Sequence, residues 1–162
     1  MKKRSPQPVT FLVLTRSPAD ELRALLRRHG LREDEIVVRG VAASAMPAHL
    51  SAADIGLSFI KSCFSKKGSS PTKVAEYLAC GLPVVLNGDI GDQADLTVEK
   101  DACIVTPFSE EDLSRAAADA IALATRPLEQ RVAVGRRVAS AHFDLERVGV
   151  ARYERLYRAI AG

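Results

Sequence analysis

No stretch of the 162 residues approaches the roughly 20 consecutive apolar residues of a membrane span. The basic start Met1-Lys2-Lys3-Arg4 imitates the head of a signal peptide. Ser5-Pro6-Gln7-Pro8 follows it, however, and the apolar run Val9–Leu14 is too short for the next region of one. Cysteine is scarce. Cys63, Cys80 and Cys103 are odd in number and form no Cys-x-x-Cys pair. That disfavours a disulfide framework and points to reduced thiols in a cytoplasmic protein, with Cys80 and Cys103 as small core residues. A strong charge of one sign is also lacking. The net charge of +3 is too slight to argue for nucleic acid.

Several motifs of chemistry are missing as well. There is no Gly-x-Ser-x-Gly, no His-Glu-x-x-His and no Gly-x-x-x-x-Gly-Lys-Ser/Thr. The absence of Gly-x-Gly-x-x-Gly argues against a dinucleotide oxidoreductase. His29, His49 and His142 have no partner pattern and read as helix-end or capping residues. Asp89, Asp92 and Asp95 lack the Gly and terminal Glu of a calcium loop, so they read as a solvated loop and not as a metal site.

What is present is a globular composition, 47% hydrophobic and 27% charged, in a chain long enough for one domain with a real core. Residues 1–8 read as a disordered, Pro-rich lead-in. Val9–Leu14 reads as a strand buried on both faces, Ser17 as the cap of a helix beginning at Pro18 and ended by Gly30, and Ile36–Val38 as a second strand. A short helix at 47–52, a strand at 55–60, a helix at 71–80, a strand at 84–86, a long polar connection at 87–101 and a strand at 103–105 follow. From Glu110 the chain reads as helical, with breaks near Pro127 and His142. Asp144 caps a last helix whose apolar side is Val148, Leu156 and Ile160, with Tyr153 and Tyr157 alongside. Alternating strands and helices predict an α/β fold, a Rossmann-like parallel sheet with helices on both faces, over 9–162 as a single domain. Charge is uneven: residues 126–162 carry 8 Arg against 4 acids, a basic flank on a mildly acidic body.

One stretch organises the rest: Lys66-Lys67-Gly68-Ser69-Ser70-Pro71-Thr72-Lys73-Val74-Ala75-Glu76-Tyr77-Leu78-Ala79-Cys80-Gly81-Leu82-Pro83. It reads as a polar loop and then a helix, with Ser70 as N-cap and Pro71 at the first helical position. Gly81 supplies a left-handed stop. Val74, Tyr77 and Leu78 share the buried face and Glu76 projects beside it. Lys73 sits in the first turn, where a cation is unfavourable unless an anion joins it. Backbone N–H groups at such a helix start suit a phosphate. A solvated Lys on a capped surface helix accounts for the same residues equally well.

The run Ser-Pro-Thr-Lys-x-x-Glu-Tyr-Leu-Ala-x-Gly-x-Pro-Val-Val resembles the donor-binding signature of the family-four retaining glycosyltransferases of GT-B fold. The resemblance extends over nearly all the chain after residue 8, through Arg39-Gly40-Val41, Met46-Pro47 and Ala53-Asp54-Ile55-Gly56, to Phe143-Asp144 and Tyr153-x-x-Leu156-Tyr157. It implies the C-terminal, nucleotide-sugar-binding half of such an enzyme, with no cofactor and no metal. In the family, the Glu matching Glu76 holds the ribose and the loop offers amides to the diphosphate. The implied donor site is therefore Gly68, Ser69, Ser70, Thr72, Lys73 and Glu76, with Val41 against the base. Gly68 stands where many members carry an acid that touches the transferred sugar. The implied partners are a UDP- or GDP-linked sugar and the N-terminal acceptor domain, which holds the catalytic base and any peripheral membrane contact. Donor binding by this half without turnover is the expectation. The pattern starts at what would be the second strand of that half. Either the strand 9–14 shifts inward, or another chain fills the gap, or the register differs. Alternatives to the transferase half are a non-catalytic nucleotide-sugar-binding or interaction module that completes a partner chain and, less favoured, an epimerase-like protein on the same fold.

Overall fold

The computed structural model describes residues 8–161, so most of the predicted lead-in at 1–8 lies outside the described residues. The chain divides into two compact units, 1–53 and 54–162.

In the first unit, β1 (Phe11–Leu14) pairs in parallel with β2 (Ile36–Arg39), in the register Phe11↔Ile36 to Leu14↔Arg39. The β-branched run predicts this extended pairing. Between them runs α1 (Ala19–Arg28), whose acids Asp20 and Glu21 and basics Arg27 and Arg28 complement its dipole. Ser17 does not cap it. Pro18 is the N-cap residue and among the described residues no side chain caps the helix start; the Ser17 amide instead donates to Thr15 Oγ1 at 3.1 Å. Gly30 takes a left-handed φ of 86° after the helix, as predicted. Short α2 (Met46–Leu50) buries Leu50.

The second unit holds three parallel strands in the order β3-β4-β5: β3 (Gly56–Ser58), β4 (Val84–Leu86) and β5 (Cys103–Val105). Central β4 is buried throughout, as its uninterrupted apolar sequence requires. Successive residues face opposite sides. Val84 and Leu86 join Cys103, Val74, Leu78 and Val138 on one face, under α3 (Thr72–Ala79) and α5 (Leu128–Phe143). Val85 meets Ala116 and Ala120 of α4 (Glu110–Ala124) on the other. Burying Leu78 alone contributes about 1.5–3 kcal/mol. Ser109 caps α4, accepting from the Asp112 amide at 3.1 Å.

Gly81 ends α3 with φ 78°. Leu82 N donates to Tyr77 O at 3.0 Å and Gly81 N to Leu78 O at 2.9 Å, the paired bonds of a left-handed helix stop. Gly135 lets α5 press on the end of α3: a methyl group there would collide with the Leu78 carbonyl and stand 3.2 Å from Gly81 Cα. Cys103 is buried, which pushes its thiol up to about 12, and Cys80 is half-buried.

Four further expectations need correction. The residues of β1 are all half-buried, so that strand is not buried on both faces. β3 stops at Ser58 rather than residue 60, because the Asn87 side chain takes over the backbone of Ile60. The 87–101 connection is not simply a polar loop. It contains a 3-10 run, Gln93–Val98, and Ile90, Gln93 and Leu96 are all buried. Before the last helix, Leu145–Val150 forms a π-helical turn capped by Asp144, and only then does α6 (Ala151–Ala161) begin. Among the described residues no helix is long and apolar enough to cross a membrane.

Candidate functional site

The site is built where β3 and β4 end. Asn87 follows β4 and is buried. Its Oδ1 accepts from Ile60 N and its Nδ2 donates to Ile60 O, both at 3.0 Å. One side chain thus continues the strand pairing after the backbone of β3 turns away. Asn87 Nδ2 also donates to Asp89 at 2.6 Å, and hydrogen bonds from Ser62 and Asn87 hold the Asp89 carboxyl below its usual range.

From this anchor the chain runs through an exposed turn, Phe64–Lys66, to the start of α3. The Lys66 carbonyl accepts from Ser69 N at 3.2 Å and from Gly91 N at 3.0 Å. Gly91, at φ 48°, lies against Ser69 so closely that a methyl group would overlap the Ser69 carbonyl oxygen. The 88–93 segment therefore supports the pre-helix loop from beneath its carbonyls.

Ser70 is not the N-cap. Pro71 occupies that place with ψ 108°, the helix opens at Thr72, and among the described residues no side chain accepts from its first turn. Proline's fixed φ suits an extended N-cap as well as a first helical residue, so the helix starts one residue later than predicted. Val74 N bonds to Pro71 O at 3.0 Å, and the Ser69 amide is spent on Lys66. None of the described hydrogen bonds engages the amides of Ser70, Thr72 and Lys73. Lys73 is half-buried beside them, and burial pushes its ammonium below the usual lysine range. Helix dipole, open amides and a cation held partly out of water make an electropositive corner.

Glu76 lies one turn on, exposed, while Val74 and Leu78 carry the buried face. Gly68 is exposed, with open space where a side chain would project, so packing does not require glycine there. Gly68 to Glu76 thus stand together on one loop and one helix. Val41 is half-buried in the loop after β2 of the first unit. Asp89, Asp92 and Asp95 build no metal site: among the described residues no three His, Cys, Asp or Glu side chains gather to hold an ion. A small cleft lined by Gly81, Pro83, Asp101, Arg131 and Gly135 lies at the other end of the sheet, before β4 begins. Ligands of parallel sheets sit beyond the opposite, C-terminal strand ends, where α3 starts.

Sequence reasoning missed Asn87, Gly91 and Gln93. Gln93 is buried with neither amide atom hydrogen-bonded in the structure. The available signal was the three-residue spacing of Ile90, Gln93 and Leu96, the period of a 3-10 helix, obscured by the acids around it.

Parallel strands flanked by helices, with an open helix start beyond the strand ends, define a Rossmann-like α/β protein of the kind that forms half of a GT-B fold. Residues 1–123 match the family model of the glycosyl transferases group 1, and the chain belongs to that family. Membership implies glycosyl transfer and, in general terms, a nucleotide-sugar donor. No curated protein and no solved structure matched the chain.

Proposed function

We propose that this chain is the donor-binding half of a retaining glycosyltransferase, and that the start of α3 receives the diphosphate of a UDP- or GDP-linked sugar. The observation that carries this is the uncapped first turn of α3, with three unengaged amides beside half-buried Lys73. An uncapped helix start with a cation in its first turn is unfavourable by itself, and an anion relieves both costs. Ser70, Thr72 and Lys73 donate to phosphate oxygens; Gly68 and Ser69 shape the loop around them. Glu76, one turn further and open to solvent, accepts from the ribose hydroxyls. The catalytic contribution of this half is electrostatic. It holds the diphosphate as negative charge grows on the leaving group. Val41 as a base contact rests on the family resemblance. So does the placing of the acceptor base in a separate domain, which leaves this half binding donor with little turnover.

Calorimetric titration with UDP-glucose and GDP-mannose tests the proposal. One of them binds, and Glu76→Ala weakens it by about tenfold or more, as expected for loss of a charged hydrogen-bond acceptor. Equal heats for both proteins would remove Glu76 from the site.

A second reading, a non-catalytic module completing a partner chain, is favoured by the sheets. Among the described residues β1 pairs with β2 alone, in a two-stranded parallel sheet, and β3 lies at an edge of its three-stranded sheet. Two-stranded sheets are weak alone, and parallel edges are normally covered. A stable complex with a second polypeptide, and no heat with either donor, would favour it.

A further inference from the structure

We infer that the second unit carries a site for one monatomic anion of halide size, held by Arg131 in the cleft beneath the start of β4. The cleft lies before the strands begin, and Gly81, Pro83, Asp101, Leu123, Arg131 and Gly135 line it. It has room for a single species the size of a water molecule or a halide. No residue of the proposed diphosphate corner lines it, and the inference does not rest on the donor reading.

Arg131 stands in the first turns of α5, half-buried. Its Nε and Nη1 are closed off from solvent and, among the described residues, have no hydrogen-bond partner. The acceptors around the cleft are engaged elsewhere. Pro83 O accepts from Gly56 N at 2.9 Å, Ala102 O from Val84 N at 2.8 Å and Leu123 O from Arg126 N at 3.2 Å. Asp101, the one acid of the lining, pairs with Arg126 at 2.9 Å. Arg131 itself joins no ion pair among the described residues. Two guanidinium groups and one carboxylate therefore meet around the cleft, and the pairing of Arg126 leaves Arg131 uncompensated.

Charge selects the occupant. A buried guanidinium without a counter-charge is costly, and hydrogen bonds alone do not remove that cost. A water molecule fits the space and offers lone pairs but no charge. A halide fits the same space, accepts from the guanidinium and supplies the missing charge. Phosphate and sulfate need more room than the cleft gives. The ion sits among the stop of α3, the approaches to β4 and β5, and α5, so its binding stabilises the packing of all four.

The test is thermal melting of the full 162-residue chain in sodium chloride and in sodium gluconate at equal ionic strength, gluconate being too bulky to enter. The chain melts about 2–4 °C higher in chloride, and the gain saturates with concentration. Arg131→Gln, which removes the charge, weakens chloride binding by about tenfold or more and melts alike in the two salts. Asp101→Asn removes the carboxylate that repels an anion and strengthens the chloride response. Crystals grown in bromide show anomalous scattering beside Arg131. Equal melting of the unaltered chain in the two salts overturns the inference, as does an undiminished chloride response in Arg131→Gln or a response that Asp101→Asn weakens. Crystals whose cleft holds water and no bromide overturn it too.

Discussion

Gly91 rests on the backbone of Ser69, with no room between them for a methyl group. This contact joins the segment after β4 to the loop before α3, so the shape of the proposed diphosphate corner is set from two places in the chain. Gly91→Ala adds a side chain at φ 48° and drives it into the Ser69 carbonyl. We expect about 1–3 kcal/mol of destabilisation and weaker donor binding, measured by denaturant melts and calorimetry. Gly68→Ala is the control. It projects into open space and leaves stability within about 0.5 kcal/mol.

Lys73 makes pH a probe with two opposite signs. Burial lowers its pKa, so its charge is lost before that of an ordinary lysine. As pH rises through that lowered value, donor affinity falls, because the cation beside the diphosphate disappears. Stability moves the other way. Over the window between the folded and unfolded pKa values the unfolded chain binds more protons, so unfolding becomes harder as pH rises. Both trends vanish in Lys73→Met. If titration of Lys73→Met keeps the alkaline loss of affinity, Lys73 is not its source.

Glu99 ties the 3-10 run to α5, accepting from Arg137 at 2.9 Å and pairing with His142 at 3.0 Å. Arg137 first, then His142, holds its carboxyl below the usual range. Its contribution is complete above the ordinary glutamate pKa and is lost as pH falls through the lower folded value. Glu99→Gln lowers stability by about 1–3 kcal/mol near neutrality and reduces the difference between neutral and acid melts. An unchanged acid dependence would show that the pair is energetically silent.

Gly135 sets two effects in opposition. Alanine favours a helix interior by about 1 kcal/mol over glycine. At this position the new methyl group meets the Leu78 carbonyl and the Gly81 backbone, neither of which can swing aside. Overpacking against backbone wins, and Gly135→Ala destabilises by about 1–3 kcal/mol. A more stable variant in thermal melts would show that α5 and α3 separate freely.

The α3 helix was legible because its markers are local. The Val74–Leu78 spacing, Gly81 and Pro83 act within a few residues, and the structure shifts only the first turn. The 87–101 segment was illegible for the converse reason. Its acids dominate the composition, while Leu96 is buried against residues as far along the chain as Val74 and Val138, and Gly91 rests on Lys66 and Ser69. The short β3 likewise depends on Asn87, 27 residues from Ile60.

By itself the sequence determined the alternation of strands and helices, the buried character of Val84–Leu86 and the motif that places the chain among the glycosyl transferases group 1. The first two follow from periodicity and backbone preference, which act between near neighbours; the family rests on the match over residues 1–123. Only the tertiary structure decided that Gly91 supports Ser69, that Asn87 closes the end of β3 and that the apolar face of α6 stays uncovered in the second unit. Each is a matter of which distant groups exclude water from one another, and no local pattern encodes that.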